Sequence, residues 1–145
     1  MNTKFRAWDS RNNEMVFSES SDCFYINTKG VLFMYAIPKS ESGLETIYHK
    51  SYDVDLFTGL QDKNGVDIYE GDITKSVSEV LRPFDRSVKT RTGEYATKYR
   101  AVDYQSKNAR FGFAGKEYTS ISQKHATKWL EVVGNIHSNP ELLEK

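Results

Sequence analysis

His49, His125, His137 and Cys23 are the residues with obvious metal or nucleophile chemistry, and they lie far apart in the chain. A structural zinc site needs four Cys or His ligands in closely spaced pairs, which this set does not make. The run Asp62-Lys63-Asn64-Gly65 echoes a calcium loop, but the acidic spacing and closing Glu of an EF-hand are missing, so it reads as a turn. Glu70 and Asp72 flank Gly71 and would be the best acid/base pair on offer. The simpler reading is a solvated turn, with Asp72 bonding nearby backbone N–H groups. No nucleophile-elbow spacing occurs, and the glycines are dispersed rather than gathered into a phosphate loop. These residues predict no catalytic centre, no metal and no cofactor, and point to a protein that is not an enzyme.

A different chemistry stands out between Lys75 and Arg110. Nine Lys and Arg face four Asp and Glu there, a balance of +5 in a chain whose net charge is zero. The cations Lys89, Arg91, Lys98, Arg100, Lys107 and Arg110 alternate with aromatics that include Tyr95, Tyr99 and Tyr104. Small β-barrels that hold single-stranded nucleic acid use this mixture, cations for phosphates and rings for bases. The candidate nucleic-acid residues are therefore those six cations with Tyr99 and Tyr104. The competing reading is a soluble hairpin arm whose rings face the core. In that case the partner is another protein, or a second copy met through strand edges and exposed aromatics.

The elements that must carry these side chains are strands. Leu56–Asp72 organises them: Asn64-Gly65 reads as a two-residue type I′ hairpin turn, with Leu56, Leu60, Val66 and Ile68 as apolar flanks. Tyr69-Glu70-Gly71-Asp72 reads as a second turn, after which Ile73–Leu81 runs as a strand with Val77 inward. Upstream, Lys4–Asp9 and Glu14–Phe17 form a hairpin, as do Cys23–Asn27 and Val31–Ile37 around Thr28-Lys29-Gly30. Pro38–Gly43 is a loop. Helix is conceivable over Leu44–Lys50, although Thr46, Ile47 and Tyr48 disfavour it. Ser51–Phe57 alternates Tyr52, Val54 and Leu56 against Asp53 and Asp55, a half-buried strand.

Arg82–Gly93, with Pro83, reads as a long mobile hairpin arm or loop. Tyr95–Tyr104 is a strand whose phase slips near Val102, the mark of a bulge. Phe111–Gly115 is a short strand ending in a turn, and Glu117–Ser122 one more strand. Residues 120–133 are open to two readings. Ser120 with Gln123 makes a capping box for a helix, whereas Trp129–Val133 is β-prone; a strand from Trp129 is preferred. Asn139-Pro140-Glu141 caps and starts a short terminal helix that docks through Leu142 and Leu143.

Three blocks, KFRAWD near the start, FTGLQDKNGVDIYEGDI in the middle and EVVGNIHSNPELL near the end, resemble the YopX protein family of phages and prophages of low-GC Gram-positive bacteria. The resemblance implies a mainly β fold with a barrel-like part that includes the TGL…NG…YEGD hairpin, and no catalytic residues to carry over.

Together these readings predict an all-β protein of 145 residues. An N-terminal β-meander over residues 1–55 precedes a small SH3-like, partly open barrel with a basic hairpin arm over 56–145, closed by a short C-terminal helix. Cys23 is alone, which fits a reducing cytoplasm, and no apolar run approaches a membrane span or a signal peptide core. The expected protein is a non-enzymatic phage or prophage accessory protein of the bacterial host cytoplasm, acting by protein binding or self-association. The alternative partner is nucleic acid through residues 75–110.

Overall fold

Among the described residues, β-branched and aromatic runs cut by turn residues become strands, and the computed structural model is mainly β there, with one short α-helix. Those residues are 4–10, 12–18, 24–26, 32–36, 45–47, 52–85, 88–116 and 119–144; of 24–26, 32–36, 45–47, 52–53, 80–85 and 88–92 the backbone alone is described. The chain divides into two compact units, Met1–Phe57 and Thr58–Lys145.

In the first unit, β1 (Phe5–Asp9) and β2 (Glu14–Phe17) form the expected hairpin. The Asp9 carboxylate holds its turn, accepting the backbone N–H of Asn12 at 3.3 Å and its side-chain amide at 2.8 Å. β3 (Phe24–Ile26), β4 (Leu32–Ala36) and β5 (Glu45–Ile47) make a separate antiparallel sheet. Its first hairpin was expected; its third strand falls where β-branched Thr46 and Ile47 argue against a helix. Thr28-Lys29-Gly30 and Pro38–Gly43 lie outside the described residues.

β6 (Tyr52–Gln61) pairs with β1 so that Asp55 stands opposite Arg6. Here the expected faces are reversed. Asp55 is buried and Leu56 is exposed, because Arg6 Nε donates to Asp55 Oδ2 at 2.9 Å, both side chains being buried. A buried charge persists only when paired, so the ion pair overrides the hydrophobic alternation of the strand.

The second unit begins with the organising hairpin, the end of β6 and β7 (Asp67–Tyr69). Its turn is not type I′. Gly65 has φ +80, but Asn64 has no positive φ. The Gly65 N–H instead reaches the Asp62 carbonyl at 3.1 Å, and the Asp62 N–H reaches the Val66 carbonyl at 2.9 Å. This is a three-residue loop, Lys63-Asn64-Gly65, preceded by Asp62 and ending on a left-handed Gly. The buried Asp62 carboxylate explains the choice: Oδ1 accepts the N–H groups of Asn64 at 2.7 Å and Val66 at 2.9 Å. Of the apolar flanks, Leu60 and Ile68 pack in the core, while Val66, which follows the loop, is exposed. Asp72 caps the second turn by accepting the Tyr69 N–H at 2.8 Å.

From that turn β8 (Asp72–Asp85) and β9 (Val88–Gln105) run as one long antiparallel hairpin. The stretch read as an arm or loop is thus paired arm. Pro83 sits beside a register shift, the position where a missing N–H does least harm. The bulge expected near Val102 lies elsewhere: pairing jumps from Glu79 with Tyr95 to Leu81 with Arg91, where Gly93 takes φ +73. The phase slip near Val102 has another cause. Ala101 and Val102 are both buried, so both faces of β9 are covered there.

β10 (Arg110–Phe113) extends the sheet on the far side of β9. Of the strand expected over Glu117–Ser122, residues 117–118 lie outside the described residues and 119–122 are not strand, although Ile121 donates its N–H to the Phe111 carbonyl. The two readings of 120–133 are both realised in succession. Helix α1 (Gln123–Trp129) is capped by Ser122, not Ser120, and β11 (Glu131–Asn135) follows. Trp129 closes the helix rather than opening the strand, since buried Leu130 ends the helical hydrogen bonding by donating to Ala126.

β11 pairs with β8, giving the sheet order β10-β9-β8-β11, an open half-barrel. Its core is Ile68, Val102, Phe113, Ile121, Ala126 and Leu130. Pro140–Glu144 is the short terminal helix, of 3₁₀ type, lying against β9. Leu142 is half-buried there, but Leu143 is exposed.

Asp62 also reaches across the unit, its Oδ2 accepting the Val132 N–H at 2.9 Å, while Lys63 and Glu131 form an exposed ion pair at 2.7 Å between the same two elements. The hydrogen bond and charge of Lys63 hold the Glu131 carboxyl below its usual range. The pair therefore stabilises the fold above the ordinary glutamate range and loses that effect as pH falls through the lowered folded value.

Asp62→Ala should lower stability by at least about 1–3 kcal/mol through unsatisfied N–H groups. Glu131→Gln, which touches only an exposed ion pair, should lower it far less at neutral pH. Equal losses in urea unfolding would contradict this ranking. Gly65→Val should cost about 1–3 kcal/mol by backbone strain. An added Cβ there meets nothing within 4 Å, so Gly65→Asn, which tolerates positive φ, should melt close to the parent.

Candidate functional site

Ladder parity decides which of the predicted residues share a surface, because side chains alternate along a strand and direct cross-strand partners point the same way. Along β9, Lys98, Arg100, Val102 and Tyr104 share one face. Their partners are Ser76 and Thr74 on β8, and Phe113 and Phe111 on β10. Tyr99 points to the opposite face, paired with Lys75, and Arg110 shares that face through Gln105. Tyr99 and Arg110 are both half-buried.

Lys98 and Arg100 meet in a cleft of about 470 Å³ between β8, β9 and α1. The Arg100 guanidinium lies 4.9 Å from the Phe113 ring centroid, and the His125 ring meets Phe113 edge-on at 6.5 Å. A cation over an aromatic face gains electrostatic attraction. The cleft is also lined by Trp129, 49% exposed, and borders Val77 and Tyr95, 43% and 70% exposed, whose ladder positions share the face of Tyr99. Val77 is therefore not inward, as its place in β8 implied; it pairs with Thr97 on the outward side. Lys128 holds its Nζ 4.8 Å from the Trp129 ring. Glu79, the acid in the lining, accepts the Gly93 N–H at 3.2 Å.

Tyr104 and Lys107 line a second, more polar cleft of about 570 Å³ beyond the end of β9. The Tyr104 ring packs on Phe111, 5.2 Å between centroids, and Gln105 closes one wall by donating from Nε2 to the Lys116 carbonyl at 2.7 Å. Lys89 and Arg91 occupy ladder positions opposite Pro83 and Leu81, with the backbone alone described. The structure thus distributes the eight predicted residues over two clefts, an opposite face and the arm. Tyr95, Trp129, His125 and Lys128 were missing from the sequence-derived set. Helical spacing of His125 with Trp129 was the signal for half of them, obscured by assigning Trp129 to a strand.

Among the described residues no three His, Cys, Asp or Glu side chains are grouped to hold a metal ion, and no helix is long and apolar enough to cross a membrane.

Tyr95→Ala and Trp129→Ala should each leave stability within about 0.5 kcal/mol of the parent, as exposed positions do. Phe113→Ala, in the buried core beside Arg100, should cost about 3–5 kcal/mol. A comparable loss of Tm in the two surface variants would show that these rings hold the fold and are not available to a ligand.

A family model described as YopX protein matches residues 4–144. Two crystal structures resemble the chain over 99% of its length and 99% of theirs. Protein EF1440 from Enterococcus faecalis is 27% identical with a TM-score of 0.53. Protein yopX from Bacillus subtilis is 17% identical with a TM-score of 0.60, a likeness of fold. No curated protein matches.

Proposed function

This chain belongs to the YopX protein family, and from that premise we propose that it acts by binding another protein or a second copy of itself, without catalysis. The observation that carries this reading is Trp129, 49% exposed at the cleft that Lys98 and Arg100 line, with Tyr95, 70% exposed, on the outer face of the same hairpin. An exposed indole at a concave surface, with cations beside it, has the composition of protein interfaces and their energetic anchors. The buried acids support the same view. Asp62, Asp72 and Asp55 are bonded to backbone N–H groups or to Arg6, which is structural work. The resemblance to phage and prophage proteins and the single cysteine favour an accessory role in the cytoplasm of a bacterial host.

One observation favours nucleic acid as a second reading: Lys98, Arg100 and Tyr104 share a face of β9. Two measurements separate the readings. Under protein association, light scattering across a range of concentrations should show a mass above the monomer, or addition of a partner protein should produce a defined complex. Under nucleic-acid binding, a labelled single-stranded oligonucleotide should bind at low salt, with a log–log salt slope of about −0.7 per phosphate contact. Oligonucleotide binding with that slope, and no association with protein, would reverse the preference.

A further inference from the structure

We propose that the cleft between β8, β9 and α1 binds a short acidic peptide segment of a partner protein, seating its carboxylates on Lys98 and Arg100 and one aromatic or aliphatic side chain against Trp129. This inference rests on the protein-binding reading above and assigns that site its ligand chemistry.

Charge complementarity carries the assignment. Lys98 and Arg100 line the cleft and Lys128 stands at its rim over Trp129, against the single acid Glu79. Glu79 is already engaged with the Gly93 N–H, so the unanswered charge is positive. The Phe113 ring, 4.9 Å from the Arg100 guanidinium, restrains that cation. A guanidinium matches a carboxylate in bidentate geometry. A restrained cation also loses less conformational freedom on binding.

Size narrows the class. About 470 Å³ holds a few side chains, whereas two globular surfaces meet over about 800 Å² on each partner. A segment fits where a folded face would not. The cations are also poorly placed for a nucleic-acid strand, which needs a continuous track of positive charge. Beyond Arg100 on this face come Val102, which is core, and Tyr104. Lys107 belongs to the other cleft and Arg110 to the other face.

The test is selection of a random twelve-residue peptide display library on the whole chain, with binding then measured by fluorescence anisotropy. The expected consensus has two or more Asp or Glu flanking one aromatic or aliphatic residue. Lys98→Glu with Arg100→Glu should weaken the selected peptide by about tenfold or more. Trp129→Ala should also weaken it, with Tm unchanged in both variants. A basic or uncharged consensus, or an acidic one indifferent to the charge reversal, overturns the assignment. So does a (dT)12 oligonucleotide that binds more tightly than any selected peptide through the same two cations, which would make the cleft a nucleic-acid site. A concentration-dependent mass that falls to the monomer in the charge-reversed variant would identify a second copy as the occupant, replacing the peptide. If the assignment fails while the chain still forms a complex or a larger mass, the protein-binding reading stands and only the cleft's ligand is wrong.

Discussion

One carboxylate ties the second unit together. Asp62 accepts three backbone N–H groups, two within its own turn and the third from Val132, seventy residues further on. The neighbouring Lys63 N–H adds a bond to the Leu130 carbonyl at 3.0 Å. Together they fix where α1 stops and β11 begins. The far end of β11 is fastened at the second turn, where the Ile136 N–H reaches the Gly71 carbonyl at 2.9 Å. Both ends of the strand that closes the half-barrel are therefore anchored to hairpin turns made much earlier in the chain. An ionised acceptor makes hydrogen bonds about twice as strong as a neutral one, so a buried acid suits this position better than Asn or Ser.

The site depends on that closure. α1 reaches the sheet because Ala126 and Leu130 are buried against Val102 and Phe113. The same contact places His125 and Trp129 beside Arg100 and Lys98 on β9. The cleft is what remains where a seven-residue helix is too short to cover the face of a much longer hairpin. Its cations come from the sheet and its exposed indole from the helix, so neither element alone would make it.

Much of the architecture was legible because turn chemistry is local. The hairpin of β1 and β2, the turns at Gly65 and Gly71, and Pro140 opening the terminal helix could all be read from the residues themselves. The errors came from tertiary pairing. Asp55 looked solvent-facing because its partner Arg6 lies 49 positions away. Val102 looked like a bulge because the second layer covering β9 is not visible in β9. Type I′ geometry at Asn64-Gly65 lost to a loop that lets Asp62 reach three donors. The candidate site was legible as a composition and not as a surface. The basic segment was identified, but ladder parity separates Arg100 from Tyr99, and Trp129 enters from an element whose type was misjudged.

The β8–β9 register has an evolutionary corollary. At Gly93 the ladder absorbs two extra residues on β9: three of its residues, 92–94, lie opposite the single position 80. Two is the number that leaves every later side chain on its original face, since alternation has a period of two. Genes that lengthen or shorten this hairpin by codon pairs, stored as bulges, keep Lys98 and Arg100 beside Trp129. A single codon gained between Tyr95 and Lys98 would shift the parity of everything from the gap to the core or break the ladder. Length variation among relatives should accordingly gather at the distal end of the arm, where drift can proceed without disturbing the cleft.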